Sequence, residues 1–285
     1  MKKLIIIMFL SLFLTGCFNT ERQEELDIYT SIYPIEFATR RMYGHNSNVR
    51  SIYPDGVDIY EYELTEKQIE DYSVGDLFIF NSLSREKDYV IPMYLNNKNL
   101  KIIDAVETID TAHAFEEIWL NPSNYLKLIA NIKEGLLLEV SNHYLRNEII
   151  ENYEELRLEV SNISATLRRI SQNAESITLL VGTDTFLFLN SFGFNVVSLE
   201  NVDELSDRVR QEISDMKEDK TLKYIFVEKG FVITEYIENF IDETDIKIAE
   251  LHTLSGLDED ERNNAETYIT LMNKNIDKIN MQLFD

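Results

Sequence analysis

The stretch Ser141–Gln172, SNHYLRNEIIENYEELRLEVSNISATLRRISQ, decides how the rest of the chain is arranged. Leu145, Ile149, Tyr153, Leu156, Val160, Ile163, Leu167 and Ile170 recur at steps of three and four, so they share one face of an α-helix, and neither Pro nor Gly interrupts the run. At 1.5 Å per residue this is a rod of about 48 Å. Glu148, Glu151, Glu154, Glu155, Arg157, Arg168 and Arg169 suit an opposite face left in water. About four heptads flanked by globular sequence favour a spine between two units over a coiled-coil stalk. A helix without Gly or Pro cannot bend sharply, so only small tilts of one unit against the other are expected.

On both sides of the spine, short apolar runs alternate with amphipathic ones. Before it, strands are predicted at 27–32, 49–53, 76–81 and 100–104, with helices from Pro34, Thr65, Lys87 and Asn121-Pro122, where Thr65 with Gln68 forms a capping box and Pro122 takes the first helical turn. Beyond it, strands are predicted at 177–181, 195–199, 223–227 and 246–250, with helices near 185–192, 203–218, 234–242 and 258–282. The fold class is therefore α/β: two lobes, 26–140 and 175–285, each a mostly parallel four-stranded sheet flanked by helices, bridged by a rigid helix at 141–174. Ligands of such sheets sit beyond the carboxyl ends of the strands, so two lobes facing each other define one cleft.

Among the 285 residues, 44% are hydrophobic, enough for real cores, and the formal net charge is -24. Nucleic acid is excluded as a partner, because neutralising phosphates needs clustered Lys and Arg. Lys2 and Lys3 precede an apolar run from Leu4 to Leu14, too short to span a bilayer, and Leu14-Thr15-Gly16-Cys17 follows. This pattern looks like a bacterial lipoprotein signal: residues 1–16 are removed, Cys17 is lipidated, and 17–25 form a tether that holds the protein to the outer face of the cell membrane. Cys17 is the only cysteine, which excludes an internal disulfide. There is no Gly-rich phosphate loop, Gly-x-Ser-x-Gly elbow or paired Cys, so nothing in the sequence signals an enzyme.

The strand-end loops carry a resemblance. Ser31-Ile-Tyr-Pro34, the Tyr53–Glu63 loop with Pro54-Asp-Gly-Val57, Ile118-Trp-Leu-Asn-Pro122, Thr183-Asp-Thr-Phe186 with Phe192-Gly-Phe194, and Leu254-Ser-Gly-Leu257 occur in the order found in the substrate-binding lipoproteins of zinc and manganese ABC importers, which the chain resembles from about Ile28 to Met281. The resemblance implies a divalent metal, zinc or manganese, held between the lobes by three histidines and one carboxylate and passed to an ABC permease in the membrane by a monomeric binding protein.

Carried over position by position, the three histidines fall on Tyr60, Glu117 and Thr183, and the carboxylate falls on His252. Not one keeps the family's residue type, and no histidine lies between His45 and His113, where zinc-specific members often carry a His-rich insertion. Glu117 and His252 remain ordinary ligands. Tyr60 would have to ionise from a pKa near 10, and Thr183 offers a neutral hydroxyl. If a four-ligand site is worth about 10–16 kcal/mol, losing two ligands costs about 5–8 kcal/mol, or about four to six powers of ten in affinity. Asp58, Glu61, Glu63 and Asp184 stand beside the aligned positions, and an oxygen-rich set with one imidazole suits Mn²⁺ better than Zn²⁺. Two alternatives stay open: a surface-anchored scaffold or adhesion-type protein that binds no metal, and a cleft for a small organic molecule among Tyr33, Tyr53, Tyr60, Tyr62 and Trp119.

Overall fold

The computed structural model describes residues 26–284 apart from 45–46, 113, 203–204 and 243–244. The expected signal, Cys17 and tether lie outside the described residues, as do His45 and His113.

The first lobe is built from β1 (Leu26–Thr30), α1 (Tyr33–Tyr43), β2 (Ser47–Ser51), α2 (Glu66–Ser73), β3 (Leu77–Phe80), α3 (Lys87–Asn96) and β4 (Lys101–Asp104). Its sheet is parallel throughout, in the order β2-β1-β3-β4. One turn of helix, α4 (Glu117–Leu120), and α5 (Pro122–Glu139) lead to the spine, α6 (His143–Asn173). The second lobe repeats the plan with β5 (Thr178–Val181), a 3₁₀ stretch (Asp184–Phe192), β6 (Asn195–Ser198), α7 (Asp207–Glu218), β7 (Tyr224–Glu228), α8 (Glu235–Asp242) and β8 (Lys247–Leu251), also parallel in the order β6-β5-β7-β8. It closes with α9 (Glu259–Asn263) and α10 (Tyr268–Phe284).

All eight stripe residues of α6 are buried. Asn142 caps the helix, its side chain accepting from the backbone N–H groups of Tyr144 and Leu145. Helices α1, α5 and α10 pack on α6, and one core runs from the first sheet across the spine to β5, β8 and α10, while a smaller core fills the far face of the second sheet. The capping box at Thr65 and the proline at the start of α5 form as the sequence predicts. Two elements differ. The predicted helix over 258–282 is two helices, because Ala265 takes a left-handed backbone (φ 54°) between them, and the helix predicted near 185–192 is wound as 3₁₀.

The lobes are bolted together. Arg262 of α9 donates to both carboxylate oxygens of Glu36 on α1 at 3.1 Å and to both of Asp55 at 2.9 and 2.7 Å. The Trp119 indole donates to the Thr253 carbonyl at 2.7 Å, Tyr268 donates to the Trp119 carbonyl at 2.6 Å, and the rings of Tyr125 and Tyr268 stack with centroids 3.9 Å apart. Gly56 N–H donates to the Leu257 carbonyl at 2.8 Å, tying the loop after β2 to the loop after β8.

Candidate functional site

The carboxyl ends of the two sheets enclose a cleft of about 490 Å³. The first lobe contributes the 56–60 loop and the turn before α4; the second contributes the 228–231 turn and the 252–258 loop with Glu261. Five carboxylates line it, Asp58, Glu116, Glu228, Asp258 and Glu261, against one ammonium, Lys229. With His252 neutral the lining carries a net charge of -4, so the cleft favours cations.

Tyr60 lines the cleft. Its hydroxyl donates to the Glu116 carboxylate, and its ring meets Phe115 edge-on, which in turn meets Trp119 edge-on. Desolvation of the hydroxyl, then the Glu116 charge and hydrogen bond, then Glu228 and Asp58, push its pKa well above the usual phenol range. The group is a neutral phenol in the metal-free protein.

Glu117 is placed otherwise than the sequence expectation. Its side chain turns into the fold, where one oxygen accepts from Ala112 N–H at 2.9 Å and the other from the Asn121 amide at 3.4 Å. The carboxylate that α4 presents to the cleft is Glu116. Successive residues of a helix point about 100° apart, so a register that is one residue uncertain exchanges an inward for an outward carboxylate. Thr183 lies near the second-lobe wall, where its hydroxyl donates to Glu228 Oε1 at 2.7 Å, and Thr185 donates to the same oxygen.

His252 reaches the cleft and is held on every side. The Asn275 side chain accepts from the His252 backbone N–H and donates to the His252 backbone carbonyl, both at 2.8 Å. Leu254 N–H donates to Nδ1 at 2.8 Å, and Leu254 itself takes a left-handed backbone (φ 58°), which a residue with a side chain adopts only at a cost of about 1–2 kcal/mol. Because Nδ1 carries the accepting lone pair, the neutral ring bears its proton on Nε2, which points at Glu261 Oε1 at 3.2 Å. Ligation through Nε2 would require the other tautomer, with two N–H groups facing each other at Nδ1. Desolvation holds the imidazole below its usual pKa, outweighing the opposite pull of Glu261.

Beside it, Lys229 sits between two carboxylates, its Nζ 2.6 Å from Asp258 Oδ2 and 2.5 Å from Glu261 Oε1. The remaining oxygens of that pair form the capping box of α9: Asp258 Oδ1 accepts from Glu261 N–H and Glu261 Oε2 from Asp258 N–H. Desolvation works against the Lys229 charge, but hydrogen bonds to Asp258 and Glu261 prevail and raise its pKa; Lys229 in turn lowers that of Asp258 and, against some desolvation, that of Glu261. Among the described residues, no three His, Cys, Asp or Glu side chains are gathered as metal ligands. Asp58, weighed above as a replacement ligand, lines the cleft, whereas Glu61, Glu63 and Asp184 do not. Glu228, Lys229, Asp258 and Glu261 were not foreseen, although the 228–231 turn follows the strand predicted at 223–227 and the strand-end rule points to it.

The family model described as zinc-uptake complex component A, periplasmic (ZnuA), matches residues 28–282. The zinc-binding lipoprotein AdcA of Streptococcus pneumoniae is 22% identical over 307 residues, covering 97% of this chain and 60% of AdcA, so the chain spans less than two thirds of that relative. The manganese-binding lipoprotein MntA of Halalkalibacterium halodurans is 24% identical over 296 residues, covering 95% of each. The crystal structure of the metal-dependent lipoprotein YcdH from Bacillus subtilis superposes with a TM-score of 0.74 at 20% identity, covering 92% of this chain and 100% of that one. These likenesses concern fold and family.

Proposed function

Because the chain belongs to the zinc-uptake complex component A family, whose members are substrate-binding transport proteins and not enzymes, we propose that it is the lipid-anchored, extracytoplasmic substrate-binding component of an ABC importer, with a cleft retuned away from tight zinc binding. Cys17 would be the anchor and a membrane permease the partner. The observation that carries the retuning is the fixed tautomer of His252: its Nδ1 lone pair is taken by Leu254 N–H and its Nε2 proton faces Glu261. The only imidazole among the cleft's described residues thus offers a metal no lone pair in its resting arrangement.

Residual divalent binding would fall on cleft oxygens, with Glu116 in place of Glu117 and with Asp58 and Glu228 near it, a donor set closer to manganese chemistry than to zinc chemistry. Calorimetric titration of the full-length protein in detergent tests this. The expected dissociation constant for Zn²⁺ is micromolar or weaker, following from about 5–8 kcal/mol of lost ligand energy. Stoichiometric nanomolar Zn²⁺ binding would overturn the proposal.

A further inference from the structure

We infer that the Lys229 ammonium is the cleft's own cation and determines which ligands it admits: a divalent ion can take the second-lobe wall only by displacing it. The inference rests on the reading of this cleft as the ligand site.

Lys229 follows β7 in a turn completed by Gly230, whose φ of 82° suits glycine. The turn brings the Lys229 Nζ to the point where Asp258 Oδ2 and Glu261 Oε1 converge, at 2.6 and 2.5 Å. These two oxygens are the ones the capping box leaves over, and they remain in place whether or not Lys229 is there, because the box fixes both carboxylates through backbone N–H groups. His252 Nε2 lies 3.2 Å from the same Glu261 oxygen. Without the ammonium, two carboxylate oxygens would face one vacant position, an all-oxygen donor pair of the kind Mn²⁺ accepts, with the protonated Nε2 of His252 beside it and not part of it. With it, an arriving cation meets a like charge and finds both oxygens occupied. Lys229 is therefore a specificity-determining residue that weakens divalent binding by occupying the two oxygens a divalent ion would need.

The test titrates Mn²⁺ into the full-length protein, following free Mn²⁺ by electron paramagnetic resonance. Lys229→Ala is expected to bind Mn²⁺ at least tenfold more tightly than the unsubstituted chain, Lys229→Arg to show no gain, and Lys229→Ala combined with Glu261→Gln to lose the gain. Lys229→Gln, which preserves the stem and removes the charge, serves if the alanine variant melts early, and should show the same direction. Equal Mn²⁺ affinity in the uncharged variants and the parent would overturn the inference. The ratio of variant to parent decides this point, whereas nanomolar Zn²⁺ binding by the parent would bear on the reading of the cleft as retuned, so the two failures are distinguishable.

Discussion

Arg262→Ala is expected to lower the unfolding free energy by about 2–4 kcal/mol, because it leaves a buried carboxylate short of its main cation. Glu36 is 2% exposed and shares its two oxygens with Arg262, while Asp55 takes the other side of the guanidinium. Arg40 also reaches Glu36 Oε1, at 2.9 Å, which places the effect below that of a wholly orphaned buried charge. The guanidinium further lies 5.7 Å from the centre of the Tyr33 ring, so the substitution removes a packed plane as well as a charge. Since these contacts join α1 to α9, the loss should appear as loosening of one lobe against the other and not only as a lower midpoint. Denaturant unfolding gives the energy, and small-angle scattering gives the spread of lobe orientations. A change under about 0.5 kcal/mol, the size of an exposed pair, would show that the bolt is ornamental.

The second large effect concerns Glu86, where the first lobe buries a carboxyl in its core. The residue is 2% exposed, Tyr53 donates to Oε1 at 3.2 Å, and Oε2 has no hydrogen-bond partner among the described residues. Burial raises its pKa from 4.5 to about 7, against the opposing pull of its hydrogen bonds and Arg85. The folded state therefore holds a proton that the unfolded chain releases above about pH 4.5, so the stabilising contribution is complete below that pH and is lost as pH rises through about 7. Between pH 5 and pH 8 the loss is about 2–3 kcal/mol. Glu86→Gln, which keeps the shape and cannot ionise, should flatten this slope and be more stable than the parent at pH 8. If the difference between variant and parent were the same at pH 5 and pH 8, the carboxyl would not be titrating as described.

What the sequence made legible, and what it hid, divides along physical lines. Hydrophobic period marks which face of an element is buried, and the stripe from Leu145 to Ile170 is buried at all eight positions. The two sheets likewise follow from their apolar runs, since a strand covered on both faces has little freedom in composition. The break at Ala265 escaped because a left-handed residue that is neither Gly nor Asn carries no compositional mark. At the site the limit was finer still. Whether Glu116 or Glu117 faces the cleft turns on a single step of one helical turn, and the commitment of Lys229 to Asp258 and Glu261 joins residues about thirty positions apart. The state of His252 depends on a backbone N–H two residues on, in a turn that no residue type in the sequence announces. Residue types at the four aligned positions were enough to expect a weakened zinc site, but the reason the one imidazole is unavailable lies in backbone geometry.

Nitrogen-15 long-range correlation spectra of the histidine side chains read the His252 tautomer, with His252→Gln identifying the resonance. A neutral His252 ring with a protonated Nε2 and an unprotonated Nδ1 is expected, unchanged by one equivalent of Zn²⁺ at concentrations below the expected dissociation constant. A proton found on Nδ1, with Nε2 shifting to metal-bound values on that addition, would contradict it.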